Sequence, residues 1–299
     1  MVRRIVPAAG QIPELVMDTR PVAGFNDTEA QAHRLAGLAV RALGQEARLS
    51  PKPGLVDSRG SGAHQDLTLT LMLRSARSLR PTFQRLALHS WLRPADMALR
   101  QEVGRLGRQG EQEMMSATGG VNTHRGAIWA LGLLVSGSAM LGGVAAAEDI
   151  AAAAARLAAL PDNRRPKNFS KGRLAVQRYQ VPGAREEAVQ GFPHVIDRAL
   201  PQLRQSRRRG ASETDARLDA LMAIMCTLTD TCVLHRGGMP ALKAMHRGAA
   251  AVLAAGGVSC PPGRLALAEL DAAMLAANAS PGGAADLLAA AIFLDWAGA

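Results

Sequence analysis

Aromatic side chains are scarce in this 299-residue chain, which holds five Phe, three Trp and one Tyr. Single-stranded nucleic acids are held largely on aromatic platforms, and neither a zinc-finger spacing nor an RRM-type pattern is present. Nucleic acid is therefore not expected as a main partner. Cysteine is nearly absent: Cys226, Cys232 and Cys260 form no C-x-x-C pair, so there is no disulfide framework, and a reducing compartment fits. No H-E-x-x-H or Cys/His ligand spacing occurs, which argues against a zinc enzyme. No Gly-Lys dipeptide exists, so a Walker A loop is excluded, and no G-x-G-x-x-G follows a strand. A serine nucleophile elbow is also missing. The N-terminus lacks the sustained apolar run of a signal peptide, and a cytoplasmic protein is expected.

What is present is a helical composition. Apolar residues make up 48%, and Ala and Leu dominate among them; these lose little or no rotamer freedom in a helix, whereas strands favour β-branched and aromatic residues. No segment alternates like a strand. The expected fold is all-α: a single compact multi-helix domain of about ten helices with long glycine-rich loops, over residues 27–299. Residues 1–26 read as a poorly ordered arm or extension. Asp27 is a suitable N-cap for a helix to about Leu49, and residues 50–62, with two prolines and three glycines, form a loop. Further helices are expected over 67–92, 94–115, from about 122, 147–160, 184–206, 212–235, 240–255, 262–278 and 282–297, with 161–183 a basic, irregular insert. Ala127–Ala147 carries no charge over 21 residues, long enough to span a bilayer. Its four glycines and two serines favour a buried bundle helix instead, and no membrane association is expected.

The formal charge of +10 points to an anionic partner. Three glycine pairs fit a polyphosphate: Gly119-Gly120 before Asn122-Thr123-His124-Arg125, Gly237-Gly238 after Arg236 and before Pro240, and Gly282-Gly283 opening the last helix. Paired glycines at a helix start let the backbone approach a ligand, and the free N–H groups and dipole end suit an anion. Carboxylates lie beside these turns: Asp57 and Asp66 flank His64, Glu111 and Glu113 precede Gly119, Asp230 precedes Arg236, and Asp286 follows Gly283. Mg²⁺ takes one or two carboxylates plus phosphate oxygens. Each residue also has a bland reading: a turn for each glycine pair, a helix cap for Asp66, a dipole partner for Asp286 and a solvated helix position for Glu113.

Taken in order, these runs resemble a known family. Ser50-Pro51-Lys52-Pro53-Gly54-Leu55-Val56-Asp57 with Gly62-Ala63-His64-Gln65-Asp66, Glu111-Gln112-Glu113-Met114 and Thr118-Gly119-Gly120-Val121-Asn122-Thr123-His124-Arg125-Gly126 are similar to motifs of triphosphoribosyl-dephospho-CoA synthases. So are Gly183-Ala184-Arg185-Glu186-Glu187-Ala188 with Gly191-Phe192-Pro193, Asp230-Thr231 leading to Arg236-Gly237-Gly238, and Ser280-Pro281-Gly282-Gly283-Ala284-Ala285-Asp286. The resemblance covers residue 30 to the C-terminus. It implies an all-helical enzyme that transfers the 5-triphosphoribosyl group of ATP to the 2′-hydroxyl of 3′-dephospho-CoA and releases adenine. The product would be the prosthetic-group precursor of malonate decarboxylase or citrate lyase, which a phosphoribosyl-dephospho-CoA transferase attaches to an acyl-carrier subunit. A homodimer is compatible with it.

On this reading Asp57, Asp66, Glu111 and Asp230 form the catalytic acidic set, and Asp57, Glu111, Asp230 and Asp286 are candidate Mg²⁺ ligands. Lys52, Arg125 and Arg236 would hold the triphosphate, aided by Gly119, Gly120, Gly237, Gly238, Gly282 and Gly283. Asn122 and Thr123 join them in the substrate site, with His64 and His124 contacting phosphate or the leaving base. Two other readings remain: a non-catalytic regulatory protein binding a nucleotide or CoA derivative, and a ribosyl hydrolase using water as acceptor.

Overall fold

The computed structural model of the chain describes residues 23–164 and 171–298. Among the described residues there are thirteen α-helices and one π-helical turn, and no strand beyond an isolated bridge between Asp57 and Gly60. Helix α1 spans Ala23–Arg48, so it begins inside the expected arm; residues 1–22 of that arm lie outside the described residues. Asp27 is thus within the first helix and does not cap it.

The segment expected as one helix over 67–92 is two, α2 (Leu69–Ser78) and α3 (Arg80–Ser90). Pro81 has no N–H to continue a helix and sits in the first turn of α3. Thr68 caps α2 through its hydroxyl, which accepts from Leu71 N at 3.2 Å, so the cap foreseen at Asp66 falls two residues later. Asp96 caps α4 (Met97–Ala117) in the same way. Next come α5 (Arg125–Met140) and α6 (Ala147–Ala159). The insert at 161–183 is not wholly irregular: α7 runs over Lys171–Tyr179. The expected 184–206 helix is divided into α8 (Ala184–Val189), a π turn (His194–Ala199) and α9 (Leu200–Arg208), broken at Gly191-Phe192-Pro193, where Phe192 has φ 57°. The chain closes with α10 (Glu213–Met225), α11 (Thr231–Ala254), α12 (Pro261–Ala276) and α13 (Gly282–Ala297).

Helices α5 and α13 form the centre. Twelve of the 16 residues of α5 and eleven of the 16 of α13 are buried, as expected for helices that are apolar on every side. They pack on each other; α5 also packs on α3 and α6, and α13 on α1 and α10. The uncharged stretch at 127–147 is therefore the central core helix and its following turn. Among the described residues no helix is long and apolar enough to cross a membrane.

Small residues set the spacing of this core. A Cβ placed on Gly137 of α5 would stand 2.6 Å from Ile150 O and 3.0 Å from Ala154 N of α6, so the two backbones cross where a side chain should be. Gly107 on α4 meets nothing within 4 Å. Gly137→Val is expected to lower the unfolding free energy by about 1–3 kcal/mol through overpacking. Gly107→Ala should raise it by about 0.5–1 kcal/mol, because glycine weakens a helix interior. Denaturant melts of both variants check this; a harmless Gly137→Val would mean that the α5–α6 crossing is looser than described.

Candidate functional site

The site is built around one buried carboxylate. The apolar period through Leu228 and Cys232 suggests a continuous helix over 212–235, but the chain breaks after Met225 and restarts at Thr231. Asp230 explains the break. Its Oδ1 accepts from Cys232 N (2.8 Å) and Val233 N (3.2 Å), capping α11, while Oδ2 accepts from Ala284 N (2.9 Å) at the start of α13. A side chain at Gly283 would crowd this carboxylate, with its Cβ 3.0 Å from Oδ2, which is why glycine opens α13. Burial raises the Asp230 pKa, and the backbone N–H groups of Ala284, Val233, Cys232 and Gly283 oppose that rise without cancelling it.

With α13 anchored there, Asp286 reaches the start of α5. Its carboxylate accepts from Ala127 N, and a side chain at Gly126 would collide with Asp286 Oδ2. Three helix N-termini, of α5, α11 and α13, thus meet around Asp230 and Asp286. Burial, then the nearby Glu46 and Asp230 carboxylates, push the Asp286 pKa well above its usual range.

The 49–68 loop closes over this junction. Lys52 is buried; its Nζ donates to Glu46 Oε1 (2.5 Å) and Glu46 O (2.7 Å), and its N–H donates to Asp57 Oδ2 (2.8 Å). Asp57 also takes the Arg59 guanidinium, which bridges to Asp271 at 2.6 Å. Burial alone would raise the Asp57 pKa, but Arg59 and the Lys52 and Arg59 backbone N–H groups outweigh it and hold the carboxyl below its usual value. Gly54 N donates to Asp271 Oδ1 (2.9 Å), and His64 Nε2 lies 2.8 Å from Ser280 Oγ. Arg236 Nη1 donates to Ala63 O (2.5 Å) and Asn278 O (3.4 Å), tying the loop to the turn before α13.

The α4–α5 connection supplies the remaining wall. His124 is buried at the N-cap of α5; its Nδ1 faces Ser75 Oγ at 2.7 Å, and Ser75 Oγ meets Thr123 Oγ1 at 2.5 Å. His124 Nε2 is buried with no hydrogen-bond partner. Burial, and then the Lys52 ammonium, lower the His124 pKa to about 4, so the ring is neutral at pH 7. Asn122 Oδ1 accepts from Arg125 N at 3.3 Å. Arg125 pairs with Glu111 at 3.0 Å, and burial raises the Glu111 pKa against that pairing.

The sequence-predicted residues therefore divide. Lys52, Asp57, His124, Asp230 and Asp286 gather at or beside the helix junction, with His64 and Arg236 stitching its rim. Glu111 reaches it only through the exposed Arg125. Asp66 is exposed, 3.7 Å from His64 Nδ1. The glycine pairs do not share one design: Gly282-Gly283 opens α13, and Gly238 (φ 65°) sits in a kink of α11 ahead of Pro240. Gly119-Gly120 instead closes α4, with Gly120 N donating to Met115 O at 2.8 Å. Glu113 braces α4 against α3 through Arg85 and Thr82, both at 2.7 Å. Among the described residues no three His, Cys, Asp or Glu side chains lie together as a metal cluster. A site of one or two carboxylates completed by phosphate oxygens is the kind these residues could offer, and Asp286, crowded by Glu46 and Asp230, is the carboxylate whose repulsion a divalent cation would relieve. Glu46, Ser75, Arg59 and Asp271 were not foreseen. Glu46 lies on α1, six residues before Lys52, and only its spacing to the 50–57 run hinted at it.

A family model described as ATP:dephospho-CoA triphosphoribosyl transferase matches residues 32–299. The chain is similar to a Klebsiella pneumoniae protein named 2-(5''-triphosphoribosyl)-3'-dephosphocoenzyme-A synthase, 68% identical over 267 residues that make up 89% of this chain and 95% of that one. A Stutzerimonas stutzeri protein named "Probable 2-(5''-triphosphoribosyl)-3'-dephosphocoenzyme-A synthase" is 60% identical over 267 residues, 88% of this chain and 91% of its own. A crystal structure from Archaeoglobus fulgidus, of a triphosphoribosyl-dephospho-CoA synthase candidate, matches with a TM-score of 0.51 at 21% identity, over 75% of this chain and 98% of that one. That likeness bears on the fold, and it agrees with the all-α architecture.

The buried histidine gives a pH prediction. Its folded pKa lies below the unfolded value, so its neutral form favours folding fully above about pH 6.5, and that contribution is lost as pH falls towards about 4. Relative to a His124→Asn variant, the wild type should lose stability on the order of 3 kcal/mol over that interval. Denaturant melts at pH 7, 5.5 and 4 measure the difference; parallel curves for the two proteins would show that His124 does not titrate as its burial requires.

Proposed function

We infer from its family, the ATP:dephospho-CoA triphosphoribosyl transferases, to which this chain belongs, that it moves the 5-triphosphoribosyl unit of ATP onto the 2′-hydroxyl of 3′-dephospho-CoA and releases adenine. The observation that carries this reading is the meeting of three helix N-termini beside Lys52 and Arg236, with carboxylates already in place. Helix starts and cations suit a triphosphate. Carboxylates beside a ribosyl centre suit the oxocarbenium character that develops as its bond to the base breaks.

Lys52, Arg125 and Arg236 hold the phosphates, with the positive dipole ends of α5 and α13 behind them. Mg²⁺, held mainly by the phosphate oxygens, would neutralise charge on the triphosphate near Asp286 and Glu46. Asp57 is held ionised by Arg59 and backbone N–H groups, which makes it a weak base and a good anchor for the Lys52 loop. Asp230 is committed to two helix caps. Asp286, whose pKa is raised by burial and then by the Glu46 and Asp230 carboxylates, is the better acceptor for the 2′-hydroxyl proton. With Ser75 Oγ donating to His124 Nδ1, the unpaired Nε2 carries a proton and can support charge on the departing adenine. The product would then serve as prosthetic-group precursor for malonate decarboxylase or citrate lyase, attached to an acyl-carrier subunit by a separate transferase.

Incubation with ATP, Mg²⁺ and dephospho-CoA, followed by chromatography for free adenine, tests the reading. Release that requires dephospho-CoA is expected. Release without the acceptor would make the protein a hydrolase, and tight binding with no release would make it a nucleotide-binding regulator.

Asp286→Asn separates stability from activity. A carboxylate whose folded pKa is raised contributes stability at low pH that is lost as pH rises through that pKa. The asparagine should therefore raise the ligand-free melting temperature at pH 8, with little gain at pH 4. It should also lower adenine release by at least about 100-fold, the scale of a positioned proton-transfer group. Unchanged turnover would remove Asp286 from the chemistry.

A further inference from the structure

A nucleotide site needs a surface for its base, and the side chains named at the helix junction include no Phe, Tyr or Trp. Among the described residues the aromatic rings are mostly committed elsewhere. Phe83, Phe192 and Phe293 are buried in the core. Trp296 lies under the guanidinium groups of Arg41 and Arg217, and Trp129 donates its Nε1–H to Ala184 O with Arg100 over its ring. Tyr179, the chain's single tyrosine, is half-buried like Trp129 and Trp296 and also has an arginine beside its ring, but it stands at the C-terminal end of α7 against the α11 kink, next to the site.

Helix α7 packs along α11. At one end Gly172 abuts Thr231, with a Cβ there falling 3.2 Å from Thr231 Oγ1, immediately beside Asp230. At the other end Tyr179 Oη would be 3.3 Å from a Cβ on Gly238, in the α11 kink. Gly237, its neighbour, lies against Ala277 O and Ala279 in the turn that precedes α13. The seven steps from Thr231 to Gly238 correspond to roughly 10 Å of helix rise. Phosphates gathered at the Asp230 end would therefore leave a base lying towards Tyr179. The exposed Arg178 places its guanidinium 5.3 Å from the Tyr179 ring centroid, adding a second flat cationic surface.

We propose that Tyr179, with Arg178, is the adenine-stacking platform of this site and that α7 thereby serves as its base-recognition wall. Stacking on an aromatic ring recognises the π-face of a purine, and cation–π contact with arginine strengthens it. Both proposed substrates carry an adenine, so the chemistry is shared and the source is decided by measurement. The proposal takes its ligands from the transferase reading, but its test does not depend on turnover.

The experiment compares wild type, Tyr179→Phe and Tyr179→Leu in equilibrium binding of ATP, dephospho-CoA and inorganic triphosphate, with KM and kcat for adenine release measured alongside. Tyr179→Leu should weaken binding of ATP, dephospho-CoA or both by about tenfold, the scale of one lost base stack. It should leave inorganic triphosphate affinity and melting temperature within error. Tyr179→Phe keeps the ring and should bind like wild type. A loss confined to ATP assigns the platform to the leaving base, and a loss confined to dephospho-CoA assigns it to the acceptor. Equal losses for inorganic triphosphate, or unchanged affinity for both nucleotides, would overturn the proposal. If wild type released no adenine yet bound ATP in a Tyr179-dependent way, the transferase reading would fail and the platform would stand.

Discussion

The arrangement of this molecule depends on the Asp230 carboxylate, which closes the first turn of α11 and receives the first turn of α13. Four unsatisfied N–H groups at a buried helix start are costly unless something accepts them, and here one side chain serves two helices. That fixes where α13 begins. The position of α13 then carries Asp286 to the first turn of α5, so three helix starts are placed by two side chains. Glycine at 126 and 283 follows from the same constraint, because a Cβ at either position would press on a carboxylate oxygen.

The arrangement concentrates negative charge in a basic protein. Asp230, Asp286 and Glu46 lie near one another, and burial raises the pKa of both aspartates. Lys52 compensates Glu46 directly; burial, and then the Lys52 ammonium, depress the pKa of His124, which remains neutral with an unpaired ring nitrogen. Asp230, Asp286 and His124 all carry pKa shifts in which burial is the largest cause. Residues that fold at the expense of local stability are those expected where binding must discriminate. A polyphosphate with a divalent cation would bring both signs of charge at once, and so would suit the positive dipole ends of the three helices and Lys52 while relieving the carboxylates.

The fold class was legible because Ala and Leu dominate and no strand pattern competes. The helix boundaries were less so. At 212–235 the apolar spacing through Leu228 and Cys232 continues unbroken across the Asp230 cap, since both halves bury a face in the same core. Periodicity cannot see a break that leaves the buried face in register. Gly191-Phe192-Pro193 and Pro81 are breakers visible in the sequence, and each divides a stretch that apolar spacing alone would run on as one helix. The motif residues around the junction were readable one run at a time, but their partners were not. Glu46 lies on a helix far in character from the loop it serves, and Ser75, Arg59 and Asp271 look like ordinary polar surface until the chain is folded. Glu113 and Asp66 looked equivalent to their neighbours by type, yet one braces α3 and the other faces solvent.

The scarcity of large side chains, which first suggested only helices, has a second consequence at the site. A nucleotide pocket on a parallel sheet gets its phosphate loop from strand-to-helix turns; a helical bundle has no such turns and must bring helix starts together instead. That requires close crossings. The glycines and alanines of α5 and α6 permit one at Gly137, and the small residues of α13 let it sit between α1, α5 and α10. The same small residues leave little aromatic surface for a base, which is why one half-buried tyrosine on a short basic helix stands out. Alanine-rich packing and a scarcity of rings are thus two results of one choice of composition, and the proposed base platform falls on helix α7.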